Sequence, residues 1–258
     1  MKLHVHEWGD RNAPAVVCLH GITGHGRRFR KLAEERLTRS HILAPDLRGH
    51  GRSAWDPPWA IEAHLDDLRD TFPAPTSWIG HSFGGRLVLE LAAQEPDLVK
   101  RAVLLDPAIH VPPTYARQGA AEVRATQPFP DIEEAIASRM KDGDLMGPEG
   151  TQREFLEEEA REHLVQDEDG LYRYRYSQEA VAHAWMEMAA PSPGFDRVRV
   201  PTLLVLGAQS KLVSAGELEL YRAALRDLLE VAVVPGGHMV YWDAFEETAD
   251  AIERFLAA

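Results

Sequence analysis

The stretch that decides the fold is Gly80-His81-Ser82-Phe83-Gly84. A short apolar run of β type precedes it, and a run with helical periodicity follows it. A Gly-x-Ser-x-Gly pattern at such a junction predicts a sharp turn that lifts the serine hydroxyl clear of a sheet, at the N-terminus of a helix. Bulky side chains two positions to either side of the serine would collide with neighbouring backbone, which accounts for the two glycines. The sequence therefore predicts that Ser82 is a nucleophile.

Predicted strands and helices alternate on both sides of this turn. Short continuous apolar runs such as residues 15–19 are typical of strands that are buried on both faces of a parallel sheet. Asp243 and Glu246 resemble an N-cap pair at the start of the last helix. Strands are predicted at 2–8, 15–19, 41–44, 77–80, 101–105, 202–206 and 230–234, and helices at 28–37, 59–72, 83–94, 215–227 and 243–256. This alternation predicts the α/β class, with a mostly parallel sheet flanked by helices.

The segment 108–196 differs in character from the rest of the chain. It holds 18 acidic and 8 basic residues, and it contains helical patterns but few runs of sheet-core type. We interpret it as an inserted, mainly helical cap, so that residues 1–107 and 197–258 form the core. The run Glu157-Glu158-Glu159 inside the segment is most simply a solvated helix face.

Composition excludes several classes of protein. The 258 residues are 45% hydrophobic and 27% charged, which is ordinary for a globular domain. The net charge of −13 argues against nucleic acid and anionic membranes as partners. No apolar run approaches the ~18 residues of a membrane span, and the first residues lack the apolar core of a signal peptide, so a cytoplasmic location is expected. The single cysteine, Cys18, lies in an apolar run and is interpreted as a buried thiol.

Four motifs together resemble one known family. They are His20-Gly21, the run Asp-Leu-Arg-Gly-His-Gly-Arg-Ser at 46–53, the turn around Ser82, and Gly237-His238 after the last predicted strand. Together they resemble the α/β-hydrolase superfamily, in its branch of capped serine esterases and lactonases. The resemblance implies an eight-stranded, mostly parallel sheet with a cap, although only one strand fits before residue 15 here.

The resemblance also assigns catalytic roles. His238 is the histidine that occupies the position of the family's general base. The backbone N–H groups of Ile22 and Phe83 are expected to form the oxyanion hole, while His20 is interpreted as a structural residue that braces its loop.

The acid is where this sequence departs from the family pattern. Most relatives carry it shortly after a late strand, but here Ser210 or Lys211 stands at that position. A second branch of the family takes its acid from an earlier strand end, which in this chain is Asp106. We therefore expect a Ser82–Asp106–His238 triad, with Glu217 as the alternative acid.

The predicted substrate is an apolar ester or lactone. Aromatic and methionine side chains in segment 108–196 predict an apolar pocket, to which His81, Trp185 and Met186 are expected to contribute. A serine nucleophile argues against dehalogenase and epoxide hydrolase chemistry. The apolar residues of the segment are Tyr115, Phe129, Met140, Met146, Phe155, Trp185, Met186 and Met188.

Metal and cofactor are not expected. His4 and His6 alternate on the first predicted strand and could bind a metal ion, but the sequence supplies no further ligand. Two other functions stay open. One is a carbon–carbon bond hydrolase or a cofactor-free peroxidase on the same fold, and the other is a catalytically weak ligand-binding protein.

Overall fold

A computed structural model describes residues 1–141 and 153–258 of the chain. Its centre is a sheet that contains seven strands within this range, in the spatial order β1-β3-β2-β4-β5-β8-β9. β1 pairs antiparallel with β3, and the remaining neighbours pair in parallel. The strands are β1 Val5–Trp8, β2 Ala15–Leu19, β3 His41–Pro45, β4 Thr76–His81, β5 Val99–Leu105, β8 Thr202–Gly207 and β9 Leu229–Val234. The mostly parallel α/β sheet is thereby confirmed, with one strand before β2 as the sequence predicted.

Both faces of the sheet are covered by helices. Successive residues of β5 show this, because Val103 and Leu104 are fully buried in apolar clusters on opposite faces. The core helices are α1 Arg30–Glu35, α2 Ile61–Thr71, α3 Phe83–Gln94, α8 Ala215–Leu225, α9 Val240–Asp243 and α10 Phe245–Ala257. Helices α2, α3 and α8 pack on one face, and α1 and α10 pack on the other. Continuous apolar strands are therefore stable here because neither face meets water.

The last helix begins later than the sequence predicted. Helix α10 starts at Phe245, and its N-cap residue Ala244 makes no side-chain hydrogen bond. Asp243 instead accepts a hydrogen bond of 3.0 Å from the backbone N–H of Gly237. The predicted N-cap pair of Asp243 and Glu246 was therefore wrong, because the carboxylate of Asp243 supports the loop that precedes the helix.

Segment 108–196 contributes no strand to the central sheet in its described part. It contains α4 Pro113–Ala125, α5 Ile132–Lys141, α6 Arg153–His163, α7 Gln178–Met188 and an antiparallel hairpin of β6 Leu164–Gln166 and β7 Tyr172–Tyr174. Helices α4 and α7 pack closely, since a Cβ atom at Gly119 would collide with the ring of Trp185. Met146 lies outside the described residues.

Only part of the acidic run in α6 is a solvated face, because Glu157 lies at the surface and Glu159 does not. Glu158 pairs with Arg30, and Glu159 is buried and accepts hydrogen bonds from Arg28 and His25. The interpretation from sequence was wrong for Glu159, because its partners His25 and Arg28 lie about 130 residues away, at the start of the 3-10 helix Gly26–Phe29. None of the helices within 1–141 and 153–258 has the length and apolarity that a membrane span requires.

Candidate active site

The turn between β4 and α3 holds Ser82 in a rare backbone conformation. Its φ is +54° and its ψ is −117°, and a non-glycine residue with positive φ is uncommon and strained. A Cβ atom at Gly80 would collide with the carbonyl of Gly84, and one at Gly84 would collide with the carbonyl of Leu19. The glycines are therefore required by close backbone approach, as the sequence predicted.

Asp106 and His238 meet at the carboxyl edge of the sheet. Asp106 follows β5, His238 follows β9, and Oδ2 of the aspartate lies 2.6 Å from Nδ1 of the histidine. Asp106 is completely buried, and His238 is 8% exposed. Asp106 also has a positive φ of +40°, so a second strained residue stands at this edge. The structure thus brings together the histidine and the carboxylate that the sequence singled out.

Sequence analysis named Ser210 only as a residue at the usual position of the acid and did not predict its contact with Asp106. Its hydroxyl donates a hydrogen bond of 2.6 Å to Oδ2 of Asp106, and the N–H of Gly207 approaches Oδ1 at 3.3 Å. The available clue was the position of Ser210, which follows the same strand end where most relatives carry an acid. A hydroxyl there supports a carboxylate that comes from the neighbouring strand.

Glu217 lies outside this arrangement. Its Oε2 accepts hydrogen bonds from the N–H and the hydroxyl of Ser214, in a capping box that begins α8. Its carboxylate is therefore engaged in stabilising a helix N-terminus.

His81 packs against the candidate base. Its Nε2–H donates a hydrogen bond of 3.0 Å to the carbonyl oxygen of His238, and the two rings lie 4.6 Å apart. Burial and the neighbouring His238 hold the pKa of His81 well below its ordinary value, so its ring is neutral. His81 lines the cavity that contains Ser82, but its hydrogen bond goes to the protein.

The loop after β2 carries Ile22, which lies on the wall of the same cavity. His20 braces this loop, because its Nδ1–H donates to the carbonyl of Gly21 at 2.8 Å and its Nε2 accepts from the N–H of Leu47 at 3.0 Å. Burial holds the pKa of His20 well below its ordinary value. Its ring is therefore neutral, which agrees with one ring nitrogen that donates and one that accepts. Phe83 opens α3, where the first N–H groups of a helix have no partner within the helix.

A cavity of about 440 Å³ contains both Ser82 and His238. Segment 108–196 supplies much of its apolar wall, through Ala108, Val111, Val123, Phe129, Leu156, Trp185 and Met188. The cavity is more polar than the sequence predicted, because Arg28, Arg139 and Glu159 also line it. Burial alone would raise the pKa of Glu159, but Arg28 and His25 hold it well below its ordinary value.

The two neighbouring residues predicted to bind substrate differ in position. Trp185 lines the cavity, whereas Met186 is 41% exposed and does not line it. The expectation for Met186 was wrong because adjacent residues on a helix point about 100° apart. Met188 lines the cavity instead.

A third side chain that could bind a metal ion lies beside His4 and His6. Asp46 places a carboxylate oxygen 3.1 Å from Nε2 of His6, and ligand atoms of the three residues lie within 4.8 Å of one another. The expectation that nothing further is supplied was therefore wrong. Asp46 is already engaged, since it also accepts hydrogen bonds from the N–H groups of Gly26 and Arg52. We interpret the cluster as a support of the N-terminal strand and its neighbouring loops.

A serine on a strained strand-to-helix turn, facing a cavity with a paired aspartate and histidine, defines the class of α/β-fold hydrolases. The chain belongs to the alpha/beta hydrolase fold family, whose sequence profile matches residues 14–245.

Two curated relatives show the range of this family. Lipase LipV of Mycobacterium tuberculosis is 37% identical over 195 residues, which cover 73% of this chain and 72% of that protein. The 2-(acetamidomethylene)succinate hydrolase of Mesorhizobium japonicum is 32% identical over 267 residues, covering 100% of this chain and 92% of that protein. A crystal structure of E-2-(acetamidomethylene)succinate hydrolase superposes with a TM-score of 0.83 at 30% identity, covering 99% of this chain and 95% of that one.

Proposed function

We propose that the protein is a serine hydrolase that cleaves carboxylic esters or lactones of apolar substrates through an acyl-enzyme. The observation that carries this proposal is that Ser82, on its strained turn, shares a cavity with a histidine whose Nδ1 is held by Asp106. The lipase relative supports ester chemistry in this family.

The tautomer of His238 determines which ring nitrogen donates a proton and which accepts one. Because Nδ1 carries the proton that is donated to Asp106, Nε2 is free to accept the proton of the Ser82 hydroxyl. Ser82 Oγ then bonds to the ester carbonyl carbon, and the N–H groups of Ile22 and Phe83 stabilise the oxyanion. Nε2–H protonates the departing alkoxide, which leaves an acyl-enzyme. Water, deprotonated by His238, attacks the acyl carbon, and Ser82 takes back its proton as the acid leaves.

Substrate choice belongs to segment 108–196, which acts as a cap. Trp185 and Met188 of α7 and Val111 and Val123 of the α4 region give the cavity its apolar wall. Such a wall suits acyl or aryl groups, since burying each CH₂ group contributes about 0.8 kcal/mol. Chemistry by Ser82 and His238 requires neither a metal ion nor a cofactor.

A second candidate is hydrolysis of an amide-type bond in an acidic substrate. The relative from M. japonicum is named for a succinate derivative, and the observation that favours this candidate is the presence of Arg28 and Arg139 on the cavity wall. Guanidinium groups match carboxylate geometry, and in this cavity Glu159 already pairs with Arg28. A matched pair of aryl esters, butyrate and hemisuccinate, separates the two. We expect faster hydrolysis of the butyrate, and a preference of more than about tenfold for the hemisuccinate would favour the second candidate.

The direct test of the proposal is covalent labelling with an organophosphonate or a sulfonyl fluoride. We expect the intact mass to rise by one adduct, peptide mapping to place the adduct on Ser82, and labelling to abolish hydrolysis of a short-chain aryl ester. Ser82→Ala should neither be labelled nor turn over the ester, while Ser214→Ala, which changes an exposed serine of the α8 capping box, should be labelled as the wild type is. An adduct at another residue, or none with several reagents, would contradict a serine hydrolase and favour a ligand-binding protein.

A further inference from the structure

A second cavity lies apart from the catalytic one. It has a volume of about 280 Å³, and neither Ser82 nor His238 lines it. Its wall includes four arginines, Arg27, Arg52, Arg161 and Arg175, and we call it the arginine cleft. It lies where the loop after β3 and the 3-10 helix at Gly26–Phe29 meet α6 and the end of the β6–β7 hairpin.

The arginine cleft is electropositive on a strongly acidic protein. Four arginines and two carboxylates, Asp46 and Glu162, line it. Arg161 also pairs with Glu157, so the lining keeps an excess of about one positive charge when the histidines are counted as neutral. Both carboxylates are already committed. Asp46 accepts hydrogen bonds from His6 and two backbone N–H groups, and Glu162 accepts one of 2.7 Å from Nη2 of Arg27. An anion in the cleft would therefore contact guanidinium groups and no carboxylate that lacks a partner.

Donors in the arginine cleft are left without partners. The Nε atoms of Arg27 and Arg175 are buried and make no hydrogen bond within the described part of the chain. Burying such a donor unpaired costs free energy, so native proteins avoid it unless something else pairs with the group. Two unpaired guanidinium donors on one cavity wall indicate a missing acceptor.

The clearest indication of a missing acceptor is the side chain of Arg175. Its guanidinium group makes no hydrogen bond or ion pair with residues in the two described ranges. The lack of partners is not the result of a loose backbone, because its N–H donates to His163 at 2.8 Å and its carbonyl accepts from Gly51 at 2.7 Å. A firmly held arginine with an unused planar fork of donors is suited to bidentate binding of an oxyanion.

We propose that the arginine cleft binds a phosphate monoester. A phosphate monoester carries about −1.5 to −2 charges at neutral pH and offers several acceptor oxygens to the unpaired Nε donors of Arg27 and Arg175. The volume of 280 Å³ equals that of about nine water molecules at roughly 30 Å³ each, so it admits a phosphate group together with a small organic group. This site is independent of the ester hydrolysis proposed above.

The arginine cleft shares a wall with the catalytic cavity. His25 lines the cleft, and its Nε2 lies 3.0 Å from Oε2 of Glu159, which lines the catalytic cavity. His163, another residue of the cleft, stacks on His25 with ring centroids 4.5 Å apart. The bound phosphate would therefore lie beside the network that connects α6 to the core.

Calorimetry with inorganic phosphate and with ribose 5-phosphate tests the proposal, at constant ionic strength set by chloride. We expect saturable binding of one ligand per chain at millimolar or lower concentration. Arg175→Ala and Arg52→Ala should each weaken binding by about tenfold or more, the loss that one charge-assisted hydrogen bond produces. Arg254→Ala, which removes an exposed charge from α10, is the matched control and should bind as the wild type does.

Folding is checked in the same samples. Because the guanidinium group of Arg175 has no intramolecular partner in the described ranges, Arg175→Ala should change the Tm in chloride by less than about 3 °C. Undiminished phosphate binding in Arg175→Ala and Arg52→Ala would overturn the proposal, and so would the absence of binding to either probe. Binding of succinate as tight as that of ribose 5-phosphate would overturn the assignment to phosphate.

Discussion

The hydroxyl of Ser210 donates a hydrogen bond of 2.6 Å to Oδ2 of Asp106, the same oxygen that lies 2.6 Å from Nδ1 of His238. The two contacts fix one carboxylate oxygen between the end of β8 and the loop after β9. The family resemblance places the acid at the position of Ser210. In this chain that position instead holds a hydroxyl that donates a hydrogen bond to the carboxylate of Asp106. Asp106 and Ser210 consequently have separate, testable effects on catalysis.

Replacing Asp106 by Asn should lower kcat by roughly a thousandfold or more. The amide cannot hold His238 in the tautomer that leaves Nε2 able to accept a proton. The rate of hydrolysis of an aryl ester, with circular dichroism to verify folding, measures this. Glu217→Gln is the control and should retain most activity, because Glu217 caps α8. A mild Asp106→Asn together with a crippling Glu217→Gln would contradict our assignment of the acid.

Replacing Ser210 by Ala should lower kcat by about three- to tenfold, which corresponds to the loss of one hydrogen bond of about 0.5–1.5 kcal/mol. Ser210→Thr keeps the hydroxyl and should restore most of the rate. The neighbouring Lys211→Ala is the matched control, and we expect it to have little effect. Equal losses in Ser210→Ala and Lys211→Ala would mean that the loop, and not the hydroxyl, is responsible.

Replacing Glu159 by Gln should destabilise the protein by about 3–5 kcal/mol, because the buried charge of Arg28 would lose its partner. Glu157 lies in the same helix and pairs with Arg153 at the surface, so Glu157→Gln should cost less than about 1 kcal/mol. Urea unfolding of the two variants measures the difference. Similar stabilities would show that Glu159 does not hold α6 to the core.

Stability should fall as pH drops below about 6.5. Burial holds the pKa of four histidines well below its ordinary value of about 6.5, namely His20, His64, His81 and His163. Below pH ~6.5 these histidines bind protons in the unfolded chain but not in the folded chain. The free energy of unfolding that they contribute is therefore fully present above pH ~6.5 and is lost as the pH falls below it. Each proton contributes a slope of about 1.4 kcal/mol per pH unit.

Urea unfolding across the acid range gives the number of linked protons, which we expect to approach about four at mildly acidic pH. His64→Leu should reduce that number by one, because His64 is buried. His110→Gln changes an exposed histidine and should leave the slope unaltered. A pH-independent free energy of unfolding between neutral and mildly acidic pH would contradict the prediction.

Local patterns predicted the scaffold well. The bounds of β2 and α3 agree with the sequence, because a short apolar run and a helix that opens at a glycine-bounded turn are both specified within a few residues. Ser82 was predicted from its glycine-bounded turn, and His238 and Asp106 from the family resemblance; the structure places the last two in contact.

Long-range packing accounts for what the sequence did not predict. Glu159 resembles any surface glutamate until Arg28 and His25 are placed against it. Met186 and Trp185 are equally apolar neighbours, and only the rotation of α7 in the fold decides which of them reaches the cavity. Arg175 carries no local sign of an unpaired guanidinium group, because that depends on every element packed around it.

The contact between Asp106 and His238 joins positions that are 132 residues apart, and that between Arg28 and Glu159 spans 131. Long loops must close before either contact forms, and this costs chain entropy and slows folding. Secondary structure near Ser82, by contrast, is set locally by β4 and α3. Refolding from urea should therefore restore helical circular dichroism in an early phase, while the proposed hydrolysis of an aryl ester recovers only with the slowest phase.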